Sequence, residues 1–320
     1  MQTQTEFLQI RAHLQKYIVG QTRLIDRLLI GLLTGGHLLL EGPPGVAKTT
    51  AVKALASGVH ASFQRVQFTP DLMPSDLTGN DIFDPQTGDF RFIDGPLFHE
   101  IILADEINRA PPKVQSALLE AMEEHQITIN GSTHPLPELF FVMATQNPLE
   151  QSGTYPLPEA QLDRFLMHVQ IDYPNEDEEL QILKRDQALH FGNDDAELNS
   201  RVMPDTVLTA RREVSEIHVE EILEKYVVQI VQATRDPGNI IPDCSDCIEI
   251  GASPRASIAM LRAASALAYI QGRDYVNPDD IINVAPDVLR HRIISSIHAK
   301  TKAISNTDII ESLLDIIPVP

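Results

Sequence analysis

Residues 37–49 read His37-Leu38-Leu39-Leu40-Glu41-Gly42-Pro43-Pro44-Gly45-Val46-Ala47-Lys48-Thr49. A short apolar run stops at a Gly/Pro turn, and Val52, Leu55, Ala56 and Val59 then fall at i, i+3, i+4, i+7. The run suits a parallel strand buried on both faces, and the spaced residues one stripe of a helix. Strand, glycine-bearing turn and helix in that order make a phosphate cradle. Loop N–H groups and the helix N-terminus present partial positive charge, Lys48 adds a full charge at the β/γ-phosphates, and the Thr49 hydroxyl is a ligand for Mg²⁺. Gly42, Pro43, Pro44, Gly45, Val46, Ala47, Lys48, Thr49 and Thr50 are therefore assigned to a nucleoside triphosphate. Ala47 stands where the pattern G-x-x-x-x-G-K-[ST] has its second Gly, a harmless change where that residue is already helical.

Outward from this loop the pattern repeats. Strands are read at 63–68, 100–104, 139–144 and 166–171, and Val114, Ala117, Leu118, Ala121 and Met122 trace one helix face. Buried strands alternating with helices predict an α/β domain over residues 1–175, with a five-stranded parallel sheet covered on both faces. Residues 7–33 read as two helices broken at Tyr17–Gln21. Pro85–Asp89 and Asn130-Gly131 read as the turns of two hairpins. After Tyr173-Pro174-Asn175 strand signals stop, and Glu176–Glu179 opens a helix with acids at its positive end. Pro204, Pro254 and Pro278 each sit where a helix starts, so residues 176–320 read as a separate, all-helical domain.

Two further strands carry chemistry at their ends. Ile101–Ala104 ends in Asp105-Glu106, as a Walker B segment does: Asp105 is placed to hold Mg²⁺ and Glu106 to polarise an attacking water. Adjacent carboxylates at the end of a buried strand are costly without a cation. The carboxyl edge of a parallel sheet is also where ligands bind, so both motifs converge there. Asn147, after the strand ending Met143-Ala144, offers a neutral amide for water or the γ-phosphate. Arg164, before the fifth strand, and Arg255, at a helix start in the second domain, are suited to charge developing on phosphoryl oxygens.

Composition narrows the partners. Across 320 residues, 25 Lys plus Arg face 45 Asp plus Glu, a formal charge of −20. With 5% aromatics and no Trp, this surface repels nucleic-acid backbones and has little to stack on bases. The apolar runs are far shorter than the ~20 residues of a membrane span, and a cytoplasmic location is expected. Cys244 and Cys247 form a single CxxC, a weak metal or redox signal, and the 11 His show no ligand-like cluster.

Seven segments in order, Tyr17–Gln21, Gly42–Thr49, Ala104–Ala110, Ala144–Pro148, Leu157–Phe165, Gly251–Arg255 and Leu289–Arg292, resemble AAA+ ATPases, and most closely the MoxR family. The resemblance covers essentially the whole chain, and Ala at the position of Ala47 is common in that family. It implies ATP or ADP with Mg²⁺, bound between the α/β core and a helical lid. Ile18, Val19 and Gly20 would border the adenine, Asn147 would be sensor 1, and Arg164 an arginine finger serving the neighbouring subunit. Arg255 would be sensor 2, on its own or a neighbour's nucleotide. The hairpins near 80–98 and 125–136 would be helix-2 and pre-sensor-1 inserts facing a pore. The resemblance further implies a homo-oligomeric, usually hexameric ring that remodels or matures protein clients, often von Willebrand A-domain proteins. Alternatives are a nucleic-acid motor of the helix-2-insert clade, a chelatase-type motor subunit, or a slow nucleotide-gated scaffold.

Overall fold

All five predicted core strands pair in one parallel sheet in the computed structural model, which describes residues 2–18, 20–43, 45, 48–83, 85, 88–148, 153–190, 202–239 and 246–320. In chain order the elements begin with α1 (Gln2–Tyr17), α2 (Thr22–Thr34), β1 (Leu38–Glu41), α3 (Lys48–Gly58), β2 (Phe63–Gln67) and α4 (Pro74–Thr78). The hairpin β3 (Gly79–Phe83) and β4 (Phe90–Asp94) leads to β5 (Ile101–Asp105) and α5 (Pro112–Glu124). A second hairpin, β6 (Gln126–Ile129) and β7 (Ser132–Pro135), precedes β8 (Phe141–Gln146), α6 (Glu159–Leu162) and β9 (Met167–Gln170). Then come α7 (Glu176–His190), α8 (Pro204–Ser215), α9 (Glu221–Ala233), β10 (Ile248–Ile250), α10 (Pro254–Ile270), α11 (Pro278–Leu289), β11 (Ile294–Ser295), α12 (Ile297–Thr301) and α13 (Asn306–Ile316). Among the described residues the helical second half departs from expectation in the short antiparallel pair β10–β11 and in an isolated parallel bridge between His218 and Tyr275.

The sheet order is β2-β5-β8-β1-β9. Strand alternation divides its side chains between two cores. Leu38, Leu40, Ile101, Leu103, Phe141 and Met143 pack with α1–α3 and the C-terminal helices, while Leu39, Ile102, Ala104, Val142 and Ala144 pack with α5. Register brings Glu41 opposite Gln146 and Gln67 opposite Asp105, so the strands end along one carboxyl edge. β1 lies between β8 and β9, and the loop after it opens at a reversal of strand order.

The C-terminal helices are locked to the core through a buried carboxylate. Asp287 of α11 accepts from Arg27 Nε at 2.6 Å, Arg23 Nη2 at 2.8 Å and Arg290 Nη1 at 2.7 Å. Burial opposes its charge, but the three guanidiniums prevail and hold the carboxyl below its ordinary range. Removing a partner would strand charge in the interior.

His37, just before β1, is 4% exposed. Its Nδ1 accepts from Val142 N–H at 3.0 Å, which leaves the proton on Nε2, 3.2 Å from the Met122 carbonyl. Burial pushes its pKa down to about 3. The unfolded chain protonates this imidazole below its ordinary 6.5 whereas the fold does not, so stability falls as pH drops through that window. Between pH 7.5 and 5 the wild type is expected to lose about 2 kcal/mol more than His37→Asn. Urea unfolding at both pH values measures the difference, and equal losses would contradict it.

Candidate functional site

The loop after β1 is shaped by what lies beside it. A Cβ on Gly42 would come within 2.6 Å of the Ile171 carbonyl oxygen, so the chain leaves the strand with room only for hydrogen there. Gly45 has φ +88, a left-handed conformation, and open space where a side chain would stand. Lys48 is the first residue of α3, and its Nζ donates to the Gly42 carbonyl at 2.6 Å across the loop. Burial lowers the Lys48 pKa, while Asp105, Glu106 and Glu41 work in the opposite direction. A cavity of about 420 Å³ opens beside it, lined by Gly45, Lys48, Thr49, Thr50, Arg65, Asp105, Glu106, Thr145, Gln146 and Asn147. These residues come from the loop after β1, the first turn of α3, strand β2 and the carboxyl ends of β5 and β8.

The acidic pair is organised by groups that the motif reading did not single out. Thr145 is buried, and its hydroxyl donates to Asp105 Oδ1 at 2.6 Å while accepting from the Glu106 N–H at 2.9 Å. Asp105 Oδ2 accepts from Arg65 Nη2 at 2.6 Å and Nε at 3.1 Å. Glu106 Oε2 accepts from Gln67 Nε2 at 2.7 Å and Arg109 Nη1 at 2.9 Å. Glu106 itself sits at φ +58, a conformation that costs a residue bearing a Cβ about 1–3 kcal/mol and persists only where neighbours impose it. Its two carboxylate clamps and the Thr145 hydroxyl are such neighbours. The available sequence signal was polar residues closing two strands, Arg65 and Gln67 in Phe63–Gln67 and Thr145 after Ala144.

Arg164 and Arg255 are brought together, but elsewhere. Among the described residues lining the Lys48 cavity neither occurs, and every lining residue belongs to the first 175. Arg164 Nη2 lies 2.8 Å from Glu123 Oε2, and Arg255 Nη2 lies 3.5 Å from Glu123 Oε1. Both line a separate cavity of about 190 Å³ with Met122 and Asp163. The turn carrying Arg164 is held by the segment after α11: Arg292 donates through Nε to Asp163 Oδ1 at 2.7 Å and through Nη2 to the Phe165 carbonyl at 2.7 Å. His291 Nε2 reaches the same carbonyl at 3.1 Å.

Ile18 is buried, and Gly20 has φ +75 with the Glu178 side chain where a Cβ would project. Val19, Pro44, Val46, Ala47 and Cys244 lie outside the described residues. Cys247 is buried and is not a free thiol. The two hairpins meet through Phe92 stacked on His134 at 4.0 Å and through Asn130 Nδ2 donating to Asp81 Oδ2 at 2.8 Å. Ile82, Phe83, Phe90 and Ile93 remain exposed on β3 and β4.

Comparison with known proteins accounts for this arrangement. Residues 37–167 match the ATPase family associated with various cellular activities (AAA), and residues 242–313 match the AAA lid domain. Chaperone MoxR1 of Mycobacterium tuberculosis is 45% identical over 307 residues, spanning 96% of this chain and 80% of that relative. The chain belongs to the MoxR family of AAA+ ATPases. The MoxR protein of Methylorubrum extorquens is 32% identical over 321 residues, covering 95% of this chain and 92% of its own. A crystal structure of a candidate ATPase from Cytophaga hutchinsonii has TM-score 0.90 at 44% identity, covering 100% of this chain and 96% of that one. This MoxR-family chain thus has the AAA core over its sheet and the AAA lid over its last helices. Among its described residues no helix is long and apolar enough to cross a membrane.

Proposed function

We propose that this MoxR-family chaperone hydrolyses ATP in the Lys48 cavity and couples turnover to ring assembly and the remodelling of a protein client. The supporting observation is that Lys48 and Thr49 from the start of α3, Asp105 and Glu106 from the end of β5 and Asn147 from the end of β8 line one cavity. In this reading the loop amides and Lys48 bind the phosphates, Glu106 takes a proton from the attacking water, and Asn147 orients that water. Ile18, Val19 and Gly20 border the adenine.

The donor set fits a divalent cation. Thr49 and Asp105 share the cavity, and the Asp105 carboxylate is aligned by the Thr145 hydroxyl. They would hold Mg²⁺, which supplies charge neutralisation on the phosphates. Among the described residues no cluster of three or more His, Cys, Asp or Glu side chains forms a self-sufficient metal cage.

Arg164 and Arg255 lie beside each other and apart from their own chain's Lys48 cavity, which favours their joint action on the nucleotide of a neighbouring copy. A hexameric ring is the assembly we infer, in the cytoplasm. The exposed apolar side chains of β3 and β4 then serve as client contacts, with a von Willebrand A-domain protein as the candidate client.

Phosphate release from ATP tests the reading. Turnover is expected to require Mg²⁺, and Lys48→Ala to weaken ATP binding about 10–100-fold through loss of a charged hydrogen bond. Turnover independent of both would overturn it. A nucleic-acid motor predicts instead tight low-salt binding in a filter titration, which the net charge of −20 opposes.

A further inference from the structure

Two helical stripes are left without cover and are complementary. On α7, Glu176, Glu179, Leu180 and Leu183 recur at i, i+3, i+4, i+7. All four are exposed, Leu180 at 48% and Leu183 at 57%. Glu178, on the opposite face of that helix, lies against Gly20. On α10 the same spacing gives Arg255, Ile258 and Arg262, all exposed, Ile258 at 53%, around Ala259, which is buried in the core. Each stripe spans eight residues, seven steps that make about 10 Å at the α-helical rise. One presents two acids followed by two leucines, the other an arginine at each end of an apolar step.

Position links them as well as chemistry. Arg255, Ile258 and Arg262 line one cavity of about 330 Å³ together with Arg164. Arg262 also lines the adjoining cavity of about 570 Å³ with Arg211 and Leu261. This concentrates guanidiniums on one side of a chain whose net charge is −20, a charge that opposes self-association unless opposite signs are brought into register. If Arg164 and Arg255 serve a neighbour's nucleotide, α10 must come alongside whatever flanks that nucleotide. Gly20 borders it, and α7 is the helix set against Gly20.

We infer that α7 of one copy docks on α10 of the next, with Glu176 and Glu179 meeting Arg262 and Leu180 covering Ile258. The occupant of the α10 face is a second copy of this chain, and the inference rests on the reading that Arg164 and Arg255 act across a subunit boundary. The contact adds selectivity for the correct neighbour, since two α10 faces or two α7 stripes would repel each other.

Charge reversal tests the pairing. Light scattering on Arg262→Glu, Glu179→Arg and the double variant, with ATP and Mg²⁺, reads the protein concentration needed for assembly. Each single reversal is expected to raise that concentration about tenfold or more, and the double to return it near the wild-type value. Unchanged thermal midpoints and ATP affinity establish that the single variants fold. Assembly of either single variant at the wild-type concentration would overturn the α7–α10 contact, as would a double variant no better than the singles. A wild type that stays monomeric with ATP and Mg²⁺ would overturn the ring reading itself, a result distinct from these.

Discussion

Arg164→Ala is expected to reduce ATP turnover by about 10³–10⁵-fold, the range in which an arginine finger acts on phosphoryl transfer, while leaving ATP affinity within about threefold of wild type. The separation of these effects follows from position. Arg164 lies outside its own chain's Lys48 cavity, so its removal subtracts nothing from the groups proposed to grip the phosphates. Its partner in the isolated chain is Glu123 at 2.8 Å, with both side chains about a third exposed. Such a pair contributes about 0–1 kcal/mol, so folding should be nearly unaffected. Mixing provides the sharper measurement. An Arg164→Ala chain supplies a competent cavity and a Lys48→Ala chain supplies the finger, so the two inactive proteins together should recover turnover. Wild-type turnover by Arg164→Ala alone, or a mixture as inactive as its components, would remove the cross-subunit assignment.

Glu106→Gln should lower turnover by about 10²–10⁴-fold and retain bound ATP. The substitution is suited to the site because it changes basicity with little change in shape. The side-chain oxygen can still accept from Gln67 and Arg109, and the Thr145 hydroxyl still holds the backbone at φ +58. Removing that support by Thr145→Val would instead disturb Glu106 and Asp105 together, since one hydroxyl serves both. Equilibrium binding of a fluorescent ATP analogue beside single-turnover phosphate release distinguishes lost chemistry from lost binding. Normal release by Glu106→Gln would exclude Glu106 as the group that activates water.

Much of the architecture was legible because the relevant signals are local. The three central strands β1, β5 and β8 are short apolar runs closed by a turn or an acid and buried on both sides, so their identity does not depend on which neighbour they find. The edge strands β2 and β9 instead alternate buried and more exposed residues. The starts of α8, α10 and α11 fall where Pro204, Pro254 and Pro278 predicted them, because proline at a first helical position forfeits no hydrogen bond. The β10–β11 pair was not legible. Ile294-Ser295 is too short to show periodicity and is extended only because Ile248–Ile250 lies opposite it.

The same distinction holds for the candidate site. Gly42–Thr49 and Asp105-Glu106 are contiguous motifs, so their chemistry could be read from the chain. Gln67 lies in no such segment and reaches Glu106, as Thr145 does, because β2, β5 and β8 end along the same edge, while Arg109 folds back on Glu106 from the turn three residues on. Arg292 holds the Arg164 turn across 129 residues, a relation that spacing does not encode.

The amino-acid sequence by itself determined the glycine-bearing loop after β1, the acidic pair, the five core strands and the helical second half, because hydrophobic period, proline and glycine act within a few residues of themselves. Only the tertiary structure decided that Arg164 and Arg255 gather at Glu123, away from their own Lys48, and that α7 and α10 keep uncovered stripes of opposite charge. Those are outcomes of how sheet and helices pack, and packing joins residues that the chain keeps far apart.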